Sequence, residues 1–223
     1  MRTVPLLRQN YAAGKGAYAL DIERQNIFLV RHGKPELPHG GKIYYGATDF
    51  PLSEDGIKSA NLLSAALRDI DFDAVFSSTM SRARRTAEII SNGTEIKEIN
   101  ELCEINLGEW EGRGFDEVRE QWKEIYEKRG ASFDSVAPPG GESFIELQKR
   151  TVPAFEKILS ECDAKNILII SHGGVMWTLM CHYFNFKLND MFFYLTDYCG
   201  IHLLQRENKL LRLKKYNWSP NIT

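Results

Sequence analysis

Long apolar runs are the first thing missing from this 223-residue chain, and no stretch of it is long and apolar enough to read as a transmembrane helix. The N-terminal "MRTVPLLRQNYAAGKG" starts basic, but its Pro-Leu-Leu core is too short for a secretory leader. Cysteine is sparse: Cys103, Cys162, Cys181 and Cys199 stand far apart without a C-x-x-C. That spacing excludes a disulfide framework and a zinc finger, and reads as reduced thiols in a cytoplasmic protein. No H-x-H or H-E-x-x-H occurs, so no metal site is expected. An excess of either charge is also missing, with 28 Lys and Arg against 30 Asp and Glu. A near-neutral balance argues against a general nucleic-acid or membrane-surface binder, so any basic site must be local. Repeats and low-complexity segments are absent. What remains is 43% hydrophobic and 26% charged, the composition of a globular chain sized for one large domain.

Along that chain, strand and helix signals alternate. Residues 1–25 carry no clear periodicity and read as an N-terminal extension, which leaves 26–223 as a single domain. "NIFLV" (26–30), "DAVFSS", the short "EIKEI" and the strongly apolar "KNILIISHGG" read as strands. Ser53 is placed to cap an amphipathic helix through Leu67, and "SRARRTAEIISNG" reads as a helix stopped at Gly93. Phe115, Val118, Trp122, Ile125 and Tyr126 share one face of a helix over 115–129. Residues 142–162 read as helix with Pro153 as a start or kink, "VMWTLMCHYF" as another helix, and 191–216 as strands turning at "RENK". Alternation of this kind predicts an α/β fold of three layers, α/β/α, with a mostly parallel central sheet and an antiparallel edge strand.

In such sheets ligands bind beyond the carboxyl ends of the strands. There the sequence places Arg31-His32-Gly33, then Ser77-Ser78 with Arg82 on the following helix, then Ser171-His172-Gly173-Gly174. Two guanidinium forks and two imidazoles suit a phosphoryl group: the arginines neutralise its oxygens, and a neutral imidazole can attack phosphorus. The leaving oxygen then needs a proton, which Glu104, Glu109 or Glu111 in "LCEINLGEWEG" could supply.

The blocks "LVRHGKPE", "YYGATDFPLSEDG", "FSSTMSRARRTAE", "LCEINLGEWEG", "PPGGES" and "ISHGGV", taken in order, resemble the histidine phosphatase superfamily, the phosphoglycerate-mutase-like fold. The resemblance implies that His32 accepts the phosphoryl group and that Arg31, Arg82 and His172 complete the phosphate pocket. It implies Glu104 as the proton donor, at the family's E-x-x-x-G spacing to Gly108, and the Gly173 amide as a further phosphate contact. It implies no metal and no cofactor.

Mutases continue R-H-G with acidic and hydroxyl residues where this chain has Lys34-Pro35-Glu36, and they carry a longer segment before the second histidine. "RHGKPELPHGGKIYYGATD" is more similar to the α-ribazole phosphatase branch. The expectation is therefore a phosphomonoesterase for a small phosphate ester, with α-ribazole 5′-phosphate as its branch-level substrate. Lys34 and Tyr45 are candidates for the pocket mouth, and a homodimer is left open. The competing readings are a phosphoglycerate mutase and a non-catalytic phospho-ligand module on the same fold. Arg84 and Arg85 read as a solvated helix face, with Arg84 pairing with Glu88. His39 and His182 read as structural or surface residues, and Trp110, Trp122 and Trp177 as core.

Overall fold

The computed structural model describes residues 24–220. Six strands form one sheet: β1 (Arg24–Arg31), β2 (Ala74–Ser77), β3 (Ile96–Glu98), β4 (Asn166–Ser171), β5 (Ile201–Glu207) and β6 (Leu210–Trp218). Their order is β3-β2-β4-β1-β5-β6. The first four run parallel, whereas β5 and β6 add an antiparallel hairpin beside β1. The strand begins at Arg24, two residues ahead of the expected boundary; residues 1–23 of the expected extension lie outside the described residues.

Continuous apolar strands are explained by burial on both faces. Phe28 and Val30 point to one layer with Leu63 of α1 (Glu54–Ala66) and Ala83 of α2 (Ser81–Ile90). Ile27 and Leu29 point to the other layer. Two more helices follow in the chain, α3 (Phe115–Gln121) and α4 (Lys123–Ala131). The second layer is built chiefly from α5 (Phe144–Glu161) and α6 (Gly173–Phe184). No helix among the described residues is long and apolar enough to cross a membrane.

Helix starts follow their caps. The Ser53 hydroxyl accepts from the Gly56 amide at 3.1 Å. Ser143 and Glu146 form a reciprocal capping box that opens α5. Pro153 therefore sits inside α5 rather than starting it. Two expectations fail. The pattern over 115–129 is two helices, because Trp122 leaves helical geometry at φ −120° and ψ 39°. Residues 191–200 are not strand: a 3-10 helix spans Leu188–Phe193, and β5 starts only at Ile201. β5 already occupies the place beside β1, and the aromatic run before it stays outside the sheet.

Candidate active site

β1 and β4 are neighbours in register, with Arg31 opposite Ser171, so the residues just past them must meet. His32 and His172 do so, their ring centroids 4.9 Å apart. The His32 Nδ1 lies 2.7 Å from the Gly33 carbonyl. A carbonyl only accepts, so Nδ1 carries the proton and the neutral ring keeps its lone pair on Nε2. Burial first, then the charges of Arg82 and Arg31, hold the His32 pKa well below 6.5. His172 is held low as well, by burial and then by His32 and both guanidiniums. Its Nε2 is 2.8 Å from the Ser78 hydroxyl. With Nε2 accepting the proton that Ser78 otherwise donates to the Cys103 Sγ at 3.3 Å, Nδ1 becomes a donor.

Arg82 is fully buried, with 0% of its surface exposed. It donates to the carbonyls of Thr48 at 2.8 Å and Gly46 at 2.7 Å. Burial lowers its pKa, and Glu104, Tyr45, Asp49 and Glu111 oppose that shift. Arg31 donates to the Thr196 carbonyl at 2.5 Å and stacks over the Tyr198 ring, 4.0 Å from its centre. Four buried side-chain nitrogens lack a hydrogen-bond partner among the described residues, and three of them are Arg31 Nε, Arg82 Nε and His172 Nδ1. Buried donors are normally paired, so a cluster of unpaired ones favours an anionic ligand.

Geometry separates the three candidate acids. Glu109 is exposed. Glu111 accepts from the amides of Gly46, Ala47, Thr48 and Leu107 and from the Thr48 hydroxyl, so it staples the 46–48 loop. Burial raises its pKa, but those hydrogen bonds outweigh burial and the net shift is downward. Glu104 alone of the three faces the cluster, accepting from the amides of Ile105 at 2.9 Å and Gly174 at 3.0 Å. A Cβ at position 174 would come 2.4 Å from the Glu104 Oε1, so any larger residue there would push the carboxylate aside. Behind Glu104, Arg150 donates to the carbonyls of Glu101, Cys103 and Glu104 and forks onto Glu142. Glu142 also accepts from the Asn106 amide, closing a clip around the 101–106 segment.

Glu104 and Gly174 open onto a cavity of about 590 Å³ whose walls include Tyr44, Tyr45, Trp110, Phe133 and Phe192. Arg129 is its cationic lining residue; burial pushes that guanidinium down to about 10, and it stacks 4.7 Å from the Phe133 ring centre. Gly173 lines a smaller cavity of about 100 Å³ with Arg31 and Glu104. Tyr45, a candidate for the pocket mouth, lines the larger cavity. Lys34 does not: it is exposed, its Nζ lies 3.8 Å from Asp55, and it lines neither cavity. Ser78, expected at a strand end, meets His172, whereas Tyr198, Thr196 and Arg150 are near the cluster without any sequence signal that marks them. Among the described residues, no group of three or more His, Cys, Asp or Glu side chains is arranged to hold a metal ion.

A sequence profile of the histidine phosphatase superfamily (branch 1) matches residues 27–219. The chain belongs to this superfamily. Within the histidine phosphatases it is 33% identical over 156 residues to the adenosylcobalamin/alpha-ribazole phosphatase of Salmonella typhimurium, covering 69% of this chain and 77% of that one. It is also 33% identical to a 2,3-bisphosphoglycerate-dependent phosphoglycerate mutase of Cytophaga hutchinsonii, over 70% of this chain and 76% of the mutase. Among solved histidine phosphatase structures, the alpha-ribazole phosphatase of Shigella flexneri superposes with a TM-score of 0.80 at 26% identity, covering 87% of this chain and 96% of that one.

Proposed function

We propose that the protein is a phosphomonoesterase working through a phosphohistidine on His32. The observation that carries this reading is a buried, neutral His32 whose Nε2 has no hydrogen-bond partner among the described residues, flanked by two guanidiniums. Arg31, Arg82 and the His172 Nδ1 donate to the phosphate oxygens, and the Gly173 amide adds a contact at the start of α6. The His32 Nε2 attacks phosphorus, the ester P–O bond breaks, and Glu104 gives its proton to the leaving alcohol. Glu104, now a carboxylate, takes a proton from water. The resulting attack on the phosphohistidine releases inorganic phosphate and returns the lone pair to Nε2. Because burial keeps His32 neutral well below pH 6.5, acidification through that value leaves the nucleophile intact.

Matches of equal identity to a phosphatase and a mutase do not decide between hydrolysis and transfer. The motif context after Gly33 and the aromatic walls of the large cavity support hydrolysis, and the sequence pattern puts α-ribazole 5′-phosphate first among substrates. The test is phosphate release in EDTA from α-ribazole 5′-phosphate, 3-phosphoglycerate and an aryl phosphate, with wild type and His32→Ala. We expect release from wild type and a loss of about 10⁴-fold or more in the variant. Release that survives His32→Ala removes the phosphohistidine mechanism. Isomerisation of 3-phosphoglycerate faster than its hydrolysis replaces phosphatase by mutase.

A further inference from the structure

One contact near the phosphate cluster is not used by the chemistry above. The Tyr45 and Tyr198 hydroxyls lie 2.5 Å apart, although the two residues are 153 positions apart in the chain. Each ring is set against a different guanidinium: Tyr198 lies under Arg31 at 4.0 Å and Tyr45 lies 5.7 Å from Arg82. The Tyr198 ring is also 5.6 Å from that of His32. The pair therefore spans the gap between the two arginines, beside the nucleophile.

Counting protons gives the consequence. Two phenols carry two hydroxyl protons, and the bond between them uses one. The second proton has no acceptor among the described residues. We infer that the Tyr45–Tyr198 pair is a neutral donor to a phosphate oxygen, with the spare proton borne by either hydroxyl. The hydroxyl oxygens are 2.5 Å apart, so a phosphate oxygen seated astride the pair is within hydrogen-bond reach of both. Burial, then the neighbouring Tyr198, raises the Tyr45 pKa, so the phenol keeps its proton at working pH. A phosphoryl group in transfer presents three equatorial oxygens with charge spread over them. The two arginines supply the charge, and the phenols add a donor on the side facing Tyr198.

This inference rests on the phosphatase reading and makes a distinct prediction. Because either hydroxyl can serve, each single variant, Tyr45→Phe or Tyr198→Phe, keeps one donor and should change kcat/KM by less than about threefold. The double variant keeps none. It should lose about 30-fold or more, far beyond the product of the singles, as expected when a charged acceptor loses its last donor. The inhibition constant of inorganic phosphate should rise in the double variant and in neither single one, a readout that a merely structural role would not move. Phe keeps both rings, so thermal melting of all four proteins checks that the fold is unchanged. Losses that simply multiply, or an unchanged phosphate inhibition constant in the double variant, would overturn the inference. Should wild type release no phosphate in a His32-dependent way, the phosphatase reading fails first, whereas normal wild-type turnover with an unaffected double variant removes only the phenol pair.

Discussion

The phosphate end of the site and its leaving-group end are made of different material and held in different ways. At the first, His32, His172 and Arg82 are at most 2% exposed and are fixed by strand ends, a helix start and backbone carbonyls. At the second, the walls are aromatic and come from α4, from Phe133 and from the segment around Met191. There Phe192 is 65% exposed and Phe193 83% exposed, so apolar surface stands in water at the mouth. Binding charge demands fixed donors in a dry place; accepting an alcohol needs only volume and apolar contact. On the proposed phosphatase reading, chemistry and substrate choice fall to separate parts of the chain.

The sharpest way to break that separation is Glu104→Gln, since Glu104 borders both ends. We expect turnover of alkyl phosphates to fall by about 10²- to 10⁴-fold, while an aryl phosphate, whose leaving group needs little protonation, loses far less. Equal losses for both would make Glu104 structural. Steady-state kinetics on the two esters decides it.

Glu111→Gln tests the rigid end through stability. The substitution replaces an acceptor of five hydrogen bonds by a group with one acceptor and unwanted donors. It should cost about 2–3 kcal/mol near neutral pH. The Glu111 pKa is lowered on folding, so its stabilisation is complete above the ordinary value of 4.5 and is lost as pH falls through the folded value. The gap between wild type and variant in denaturant melts should accordingly narrow below pH 4.5. A gap independent of pH would mean that charge is irrelevant there.

The smallest effect is expected at the open end. Phe192→Ser should raise KM for bulky aromatic esters by about three- to tenfold and leave small esters and kcat unchanged. An equal rise for small esters would erase the distinction between the two ends.

The same division governs what the sequence revealed. β1 and β4 were legible because their apolar runs end abruptly in Arg-His-Gly and Ser-His-Gly, a pattern with few physical alternatives. The break at Trp122 was not, because one irregular residue leaves the three- and four-residue spacing on both sides in phase. Phe192, Phe193 and Tyr194 have strand-like composition, yet the chain there forms a 3-10 turn and pairs with no strand, because strand propensity yields to tertiary context. Tyr198 sits in no motif: it reaches His32 only through the tertiary placement of the loop before β5. Residue chemistry alone left Glu104, Glu109 and Glu111 open and only the family's E-x-x-x-G spacing pointed to Glu104; the amide partners of Glu111 add a geometric ground for that choice.

The 46–48 loop that serves Arg82 has one more consequence. A Cβ at Gly46 would lie 1.9 Å from the Ile105 carbonyl oxygen, so every other residue there displaces the acceptor that Arg82 uses. In a saturation scan scored by turnover, Gly46 would stand out as intolerant beside the histidines, although it donates nothing to the substrate. Ranking positions by intolerance alone would nominate it as part of the chemistry, while either tyrosine of the hydroxyl pair, each covering for the other, would look dispensable.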